Sequence, residues 1–234
     1  MKETIEELNK KLSNNSPENI LIYFLNKYKG SIAFSTSLGA EDQALTNMIV
    51  KIDPSAEIFT LDTGRLFPES YDLIERTNKK FRIKIKVYFP FSRQIESMIQ
   101  EHGVNLFYES VEKRKLCCHY RKKEPLKRAL QNKEAWISGI RKEQSDIRQL
   151  NELVEWDPVH KIIKVNPLIN WTEKQVWDYI DKHNIPVSPL HKKGFKSIGC
   201  QPCTRAIQEG EDFRQGRWWW EDRSKRECGI NNEE

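Results

Sequence analysis

Ser31-Ile32-Ala33-Phe34-Ser35-Thr36-Ser37-Leu38-Gly39-Ala40-Glu41-Asp42 passes from a short apolar run through a hydroxyl-rich turn into a helical pattern, and that order decides the fold. Ser31 to Ser35 has the length and composition of a buried strand, and Ala40 to Lys51 that of a helix. The unit returns after Pro54: Glu57-Ile58-Phe59-Thr60-Leu61 reads as a strand, Asp62-Thr63-Gly64 breaks it, and a helix is expected from Pro68 to Lys80. Ile83 to Val87 alternates like a strand with one wetter face, and Ser92 to His102 is again helical. Strand followed by helix, repeated, predicts an α/β fold with a largely parallel central sheet flanked by helices.

Working outward, Ser16-Pro17-Glu18 supplies a cap and a first-turn proline for a helix whose apolar face holds Ile20, Leu21, Phe24 and Leu25. Downstream, Glu134 to Ser138 and Lys161 to Val165 read as further strands, and Thr172-Glu173-Lys174-Gln175 is a capping box opening a helix to about His183. Pro186, Pro189, Gly194 and Gly199 punctuate a loop. From Gly210 to Glu234 the chain is polar, with Trp218-Trp219-Trp220 as an anchor. Residues 1–209 are therefore expected to form the α/β domain and 210–234 a mobile tail.

The composition, 38% apolar and 31% charged, is that of an ordinary folded protein. The start, Met1-Lys2-Glu3-Thr4, shows no apolar signal region, and the run from Ile20 to Leu25 is far too short to cross a bilayer. A cytoplasmic protein without a membrane partner is expected, and there paired cysteines point to metal or redox work more than to structural disulfides. The net charge of +5 is spread over mixed signs, so no nucleic-acid partner is expected. Basic residues nevertheless crowd the cysteines, as in Lys113-Arg114-Lys115 and Arg121-Lys122-Lys123, where they favour thiolates and anionic ligands.

Two features carry chemistry. The turns Phe34 to Asp42 and Leu61 to Arg65 would lie at the carboxyl edge of the sheet, where hydroxyls and helix-start amides either bind phosphate or sulfate or simply cap the helix. The first is not a Walker A loop, since no Gly-Lys-Ser/Thr follows. The five cysteines divide into Cys117-Cys118, Cys200-Gln201-Pro202-Cys203 and a lone Cys228. Four thiolates admit a zinc ion, an iron-sulfur cluster or redox-paired thiols. Adjacent cysteines make a strained chelate on one ion, whereas neighbouring thiolates can serve different irons of a cluster.

Cys117-Cys118-His119-Tyr120-Arg121-Lys122, Gly199-Cys200-Gln201-Pro202-Cys203-Thr204, Glu211-Asp212-Phe213-Arg214-Gln215-Gly216-Arg217-Trp218-Trp219-Trp220-Glu221 and Glu227-Cys228-Gly229 occur in that order. Together they resemble the assimilatory adenylyl-sulfate (APS) reductases, relatives of the phosphoadenylyl-sulfate (PAPS) reductases, over about Ser31 to Gly229. The resemblance implies a pyrophosphate-loop variant of the Rossmann-like fold and a [4Fe-4S] cluster on Cys117, Cys118, Cys200 and Cys203. It implies that the Cys228 thiolate attacks the sulfur of APS, expelling AMP and leaving a Cys-S-sulfonate, from which thioredoxin or glutaredoxin releases sulfite. It places Lys122 between cluster and substrate, and Arg214 and Arg217 at the phosphosulfate with Arg148 as a further candidate. Ser35, Ser37, Gly39, Glu41 and Asp62 fall at the nucleotide edge.

One departure stands out. Family members commonly continue Glu-Cys-Gly-Leu-His, whereas here Glu227-Cys228-Gly229 is followed by Ile230-Asn231, and Asn231 offers no titrating imidazole. The alternatives are PAPS reduction or dual specificity, an adenylylating enzyme on the same sheet, and a zinc-bound nucleic-acid module. The last would not explain the βα turns or Cys228. A homo-oligomer is compatible with the sequence.

Overall fold

The computed structural model describes residues 3–222, so Cys228 and Asn231 lie outside the described residues. The elements are α1 Ile5–Leu12, α2 Pro17–Lys27, β1 Ile32–Ser35, α3 Ala40–Ile52, β2 Glu57–Leu61, α4 Pro68–Phe81 and β3 Lys86–Tyr88. They continue as α5 Ser92–His102, α6 Val111–Cys118, α7 Glu124–Ala129, β4 Ala135–Ile137, β5 Val154–Asp157, β6 Ile162–Val165 and α8 Glu173–His183. The six strands run in the order β3-β2-β1-β4-β6-β5. β1 pairs in parallel with β2 and β4, and β4 with β6, while β5 joins β6 antiparallel. The expected α/β architecture is what the chain forms.

Local chemistry sets the ends of these elements. Ser16 and Thr172 cap α2 and α8 through their hydroxyls, and the Thr172 to Gln175 box closes reciprocally. The strand expected at Ile83 to Val87 is instead β3, shifted toward Tyr88. Asn78 at the end of α4 takes the Ile83 amide on its carbonyl at 3.1 Å and the Ile85 amide on its side chain at 2.9 Å, so those donors serve a helix terminus and not a sheet ladder.

Two compact units are interleaved along the chain. One comprises the residues up to Thr60 with Glu69–Lys86 and Asn132–Pro189. Its core includes Phe24, Phe34, Leu45, Met48, Ile137 and Val165, and a smaller cluster packs α3 on α8 through Ala44, Val176 and Ile180. The other comprises Leu61–Pro68, Val87–Gln131 and the residues from Leu190 on. Its core joins Met98, Leu106, Phe107 and Trp218 to Cys117, Cys200 and Cys203. No helix among the described residues is long and apolar enough to cross a membrane.

Candidate functional site

In the first unit the candidate site is the turn between β1 and α3. Leu38 adopts a left-handed backbone, φ 64°, with its side chain buried in the core and its amide donating to Thr36 Oγ1 at 3.0 Å. The turn is held by Asp42, whose Oδ2 accepts from the Ser37 amide at 2.6 Å and from the Ser37 hydroxyl at 2.7 Å. Burial pushes the Asp42 carboxyl up to about 6, against the opposing pull of the Ser37 hydrogen bonds. Its other oxygen occupies space that a side chain at residue 139 would fill: a Cβ on Gly139 would fall 2.0 Å from Asp42 Oδ1. Gly39 differs, since a Cβ there meets nothing nearer than Ser37 Oγ at 3.5 Å.

Glu41 is buried beside this turn. Its Oε1 accepts from Arg141 Nε at 2.8 Å and from Gln144 Nε2 at 2.9 Å, and Gln144 Oε1 accepts from Arg148. Ser37, Gly39, Glu41 and Arg148 thus belong to this unit, with Ser35 closing β1. Asp42, Gly139, Arg141 and Gln144 escaped the sequence reading as site residues. The signal for Gly139 was a glycine at the end of β4, where strand ends meet ligands.

The second unit gathers the cysteines. All four line one cavity, which Arg65, Arg114, Arg121 and Lys122 also line. Cys117 and Cys118 end α6, and a π-helical turn, His119–Lys123, carries Arg121 and Lys122 onward into α7. Cys200 and Cys203 flank the 3₁₀ turn Gln201–Cys203, whose Gln201 amide donates to the Arg65 carbonyl at 2.8 Å. Thr63 Oγ1 lies 3.2 Å from Cys200 Sγ, and Arg121 Nη1 donates to the Thr63 carbonyl at 2.6 Å. Asp62, also in this unit, accepts the Gly64 amide at 2.7 Å, a turn-forming bond.

The four thiols form no disulfide. Burial pushes the Cys203 thiol up to about 12, with Cys200 adding to the rise and Arg217 and Lys122 opposing it. Burial raises Cys117 as well, against Arg121. Buried, cation-flanked thiols of this kind become thiolates when a metal displaces their protons. Among the described residues no three His, Cys, Asp or Glu side chains are grouped to hold a single ion. Four sulfur donors lining one cavity are a donor set that suits a metal centre.

The segment after Cys203 packs back onto it. Thr204 bridges to Arg217, the Trp218 amide donates to the Cys203 carbonyl at 3.2 Å, and Arg217 Nε reaches the same carbonyl at 3.3 Å. Arg217 stacks 4.6 Å from the Trp218 ring centroid, and a Cβ at Gly199 would lie 2.3 Å from its Nη2. Arg214 donates to Ser197 Oγ at 3.4 Å. Of the triplet expected to anchor, Trp218 is fully buried and Trp220 packs against the same core, whereas Trp219 is exposed.

A model of the phosphoadenosine phosphosulfate reductase domain matches residues 31–206, which is most of the chain. The chain belongs to that family. Within it, the protein named adenosine 5'-phosphosulfate reductase of Allochromatium vinosum is 48% identical over 204 residues, covering 87% of this chain and 80% of its own. The crystal structure of a PAPS reductase from Candida auris, a phosphate complex, superposes with a TM-score of 0.75 at 28% identity, over 88% of this chain and 98% of that one. The FMN adenylyltransferase of Candida glabrata shares the reductase-domain fold alone, at a TM-score of 0.58 and 16% identity, over 94% of this chain and 75% of that one.

Proposed function

We propose that this chain reduces adenylyl sulfate to sulfite and AMP, as a soluble cytoplasmic enzyme of sulfate assimilation served by thioredoxin or glutaredoxin. The observation that carries the reading is the convergence of both cysteine pairs on one cation-lined cavity in a reductase-domain chain. Cys117, Cys118, Cys200 and Cys203 would hold a [4Fe-4S] cluster, which when bound would keep these buried thiols ionised.

The chain's own residues account for the steps. Gly39 and the first turn of α3 offer backbone donors to the nucleotide phosphate, Ser37 shapes that turn through its bonds to Asp42, and Arg148 offers a planar cation. Lys122, Arg214 and Arg217 offset the negative charge of a thiolate approaching a phosphosulfate, and stabilise charge growing on the phosphate as it leaves. The Cys228 thiolate forms a bond to the substrate sulfur while the sulfur–oxygen bond to AMP breaks, and AMP departs with that electron pair. A reductant thiolate then attacks Cys228 Sγ, sulfite leaves with the sulfur–sulfur electron pair, and the second thiol of the reductant resolves the mixed disulfide. Two thiols become one disulfide, which supplies the two electrons.

The test is sulfite release by anaerobically purified protein from APS and, separately, from PAPS, with thioredoxin as reductant. Turnover of APS with little from PAPS is expected. Equal turnover would establish dual specificity, and inactivity on both in an iron-containing preparation would sink the reading. Cys228→Ser is expected to retain iron and nucleotide binding and to accumulate no sulfonated enzyme.

A further inference from the structure

Arg148 sits in the 3₁₀ turn Ile147–Leu150 with its side chain buried. A long side chain has many rotamers, so a buried guanidinium that must meet an anion in one geometry needs another group to fix its direction. Gln144 is placed to do so. Its Oε1 accepts from Arg148 Nη1 and, at 3.2 Å, from the Arg141 backbone amide. Its Nε2 donates to Glu41 Oε1 at 2.9 Å, and that same oxygen accepts from Arg141 Nε at 2.8 Å. The amide is thereby locked end for end: a carboxylate faces its NH2 and donors face its oxygen.

The choice of an amide has a consequence for charge. A carboxylate at position 144 would grip Arg148 more strongly, but it would add negative charge where an anion is to bind and would face Glu41 with like charge. A neutral acceptor directs the cation without adding a second negative charge beside Glu41. Glu41 lies in the first turn of α3, so the sequence Glu41, Gln144, Arg148 ties that cation to the helix start that follows the hydroxyl-rich turn.

We infer that Gln144 is a positioning residue for the anionic substrate: through Glu41 it aims Arg148, and without it the arginine is present but misdirected. The inference rests on the proposed reading of Arg148 as a substrate ligand. The experiment is a double-mutant cycle on iron-loaded protein carrying Cys228→Ser, which prevents turnover, with APS affinity measured by calorimetry. Arg148→Ala is expected to weaken APS binding by about tenfold or more, and Gln144→Ala by about tenfold, the scale of a lost hydrogen bond to a charged group. In the Arg148→Ala background, Gln144→Ala should then change the affinity less than about twofold, because coupled sites are non-additive. Gln144→Glu should weaken APS more than Gln144→Ala.

A Gln144→Ala effect of the same size in both backgrounds would overturn the inference, as would Gln144→Glu binding APS like the parent. If Arg148→Ala leaves APS affinity unchanged, Arg148 is no ligand and the inference falls, while sulfite release by the unmodified chain still stands as the separate test of the proposed function. Should Gln144→Ala fail to fold, Gln144→Met keeps the side-chain length without either hydrogen bond and enters the same cycle with the same expected outcomes.

Discussion

Arg114 and Glu221 form a doubly bonded ion pair, Nε to Oε1 at 3.0 Å and Nη2 to Oε2 at 2.8 Å, with their side chains only 1% and 3% exposed. Arg114 comes from the cysteine-bearing helix α6, and Glu221 follows the tryptophan triplet. The same guanidinium lies 4.8 Å from the Trp218 ring centroid, so one side chain holds the 203–221 segment by charge and by an aromatic face. Removing one partner strands a buried charge. Glu221→Gln is therefore expected to destabilise the protein by about 3 kcal/mol or more, and Arg114→Met with Glu221→Leu to restore much of that loss. Unfolding midpoints of the iron-loaded proteins check this, and a neutral effect of Glu221→Gln would show that the pair is not desolvated.

Asp42 predicts a pH dependence. Its carboxyl is raised from 3.8 to about 6, so the folded chain binds this proton more tightly than the unfolded one. The resulting stabilisation is fully present below the unfolded value and is lost as pH rises through about 6. Above that, ionised Asp42 costs the folded state on the order of 3 kcal/mol. Asp42→Asn keeps an acceptor for Ser37 and removes the ionisation. The melting temperature of the variant relative to the parent should rise between pH 4 and pH 8 by about 6 °C or more. A difference that does not change with pH would mean that the ionised form is stabilised in the folded state as well as in water.

The parts of the fold that could be read in the sequence are those where the side-chain period is clear, as in α5 and β2, or agrees with cap chemistry, as in α2 and α8. The stretch Val111 to Ala129 gave no helical signal although α6, the π turn and α7 fill it. Its buried face carries Arg114, Cys117 and Arg121 at helical spacing, where hydropathy looks for leucines. Charge placed inward for a site thus hides the helix that carries it. β5 was also silent: it is four residues long and its Trp156 faces out, 54% exposed. The cysteine set was legible through motif order, whereas Glu41's partners and the Asp42 to Gly139 fit depend on residues about a hundred positions apart, which no local pattern reports.

Two glycines beside the β1–α3 turn separate a steric role from the proposed binding role. At Gly139 a Cβ would lie 2.0 Å from Asp42 Oδ1, so Gly139→Ala must displace that carboxylate and loosen Ser37. Loss of both stability and AMP affinity is expected. At Gly39 the protein leaves room, and φ is −66°, so Gly39→Ala should fold with a loss of about 1 kcal/mol or less, the scale of an N-cap change. Its AMP affinity should nevertheless fall about tenfold or more, because the added methyl would meet the ligand. Calorimetry on both variants checks the contrast, and full AMP affinity in Gly39→Ala would remove this turn from the binding site.

Gly199 makes the corresponding prediction in the cysteine unit. The Arg217 guanidinium is set between the Trp218 ring and the space over Gly199, where a Cβ would come within 2.3 Å of Nη2 and 2.5 Å of Cζ. Gly199→Ala therefore leaves the cysteines in place but forces Arg217 off its seat. Misplacing one charge-stabilising donor costs roughly 10²-fold in the chemical step. The variant is expected to retain its iron and its AMP affinity while the single-turnover rate of Cys228 sulfonation falls by about that factor, as Arg217→Ala should also do. Iron analysis and mass detection of the sulfonated protein read the two effects separately. Loss of iron in Gly199→Ala would assign the glycine to the Cys200 turn instead, and an unchanged sulfonation rate would show that Arg217 does not act on the reacting group.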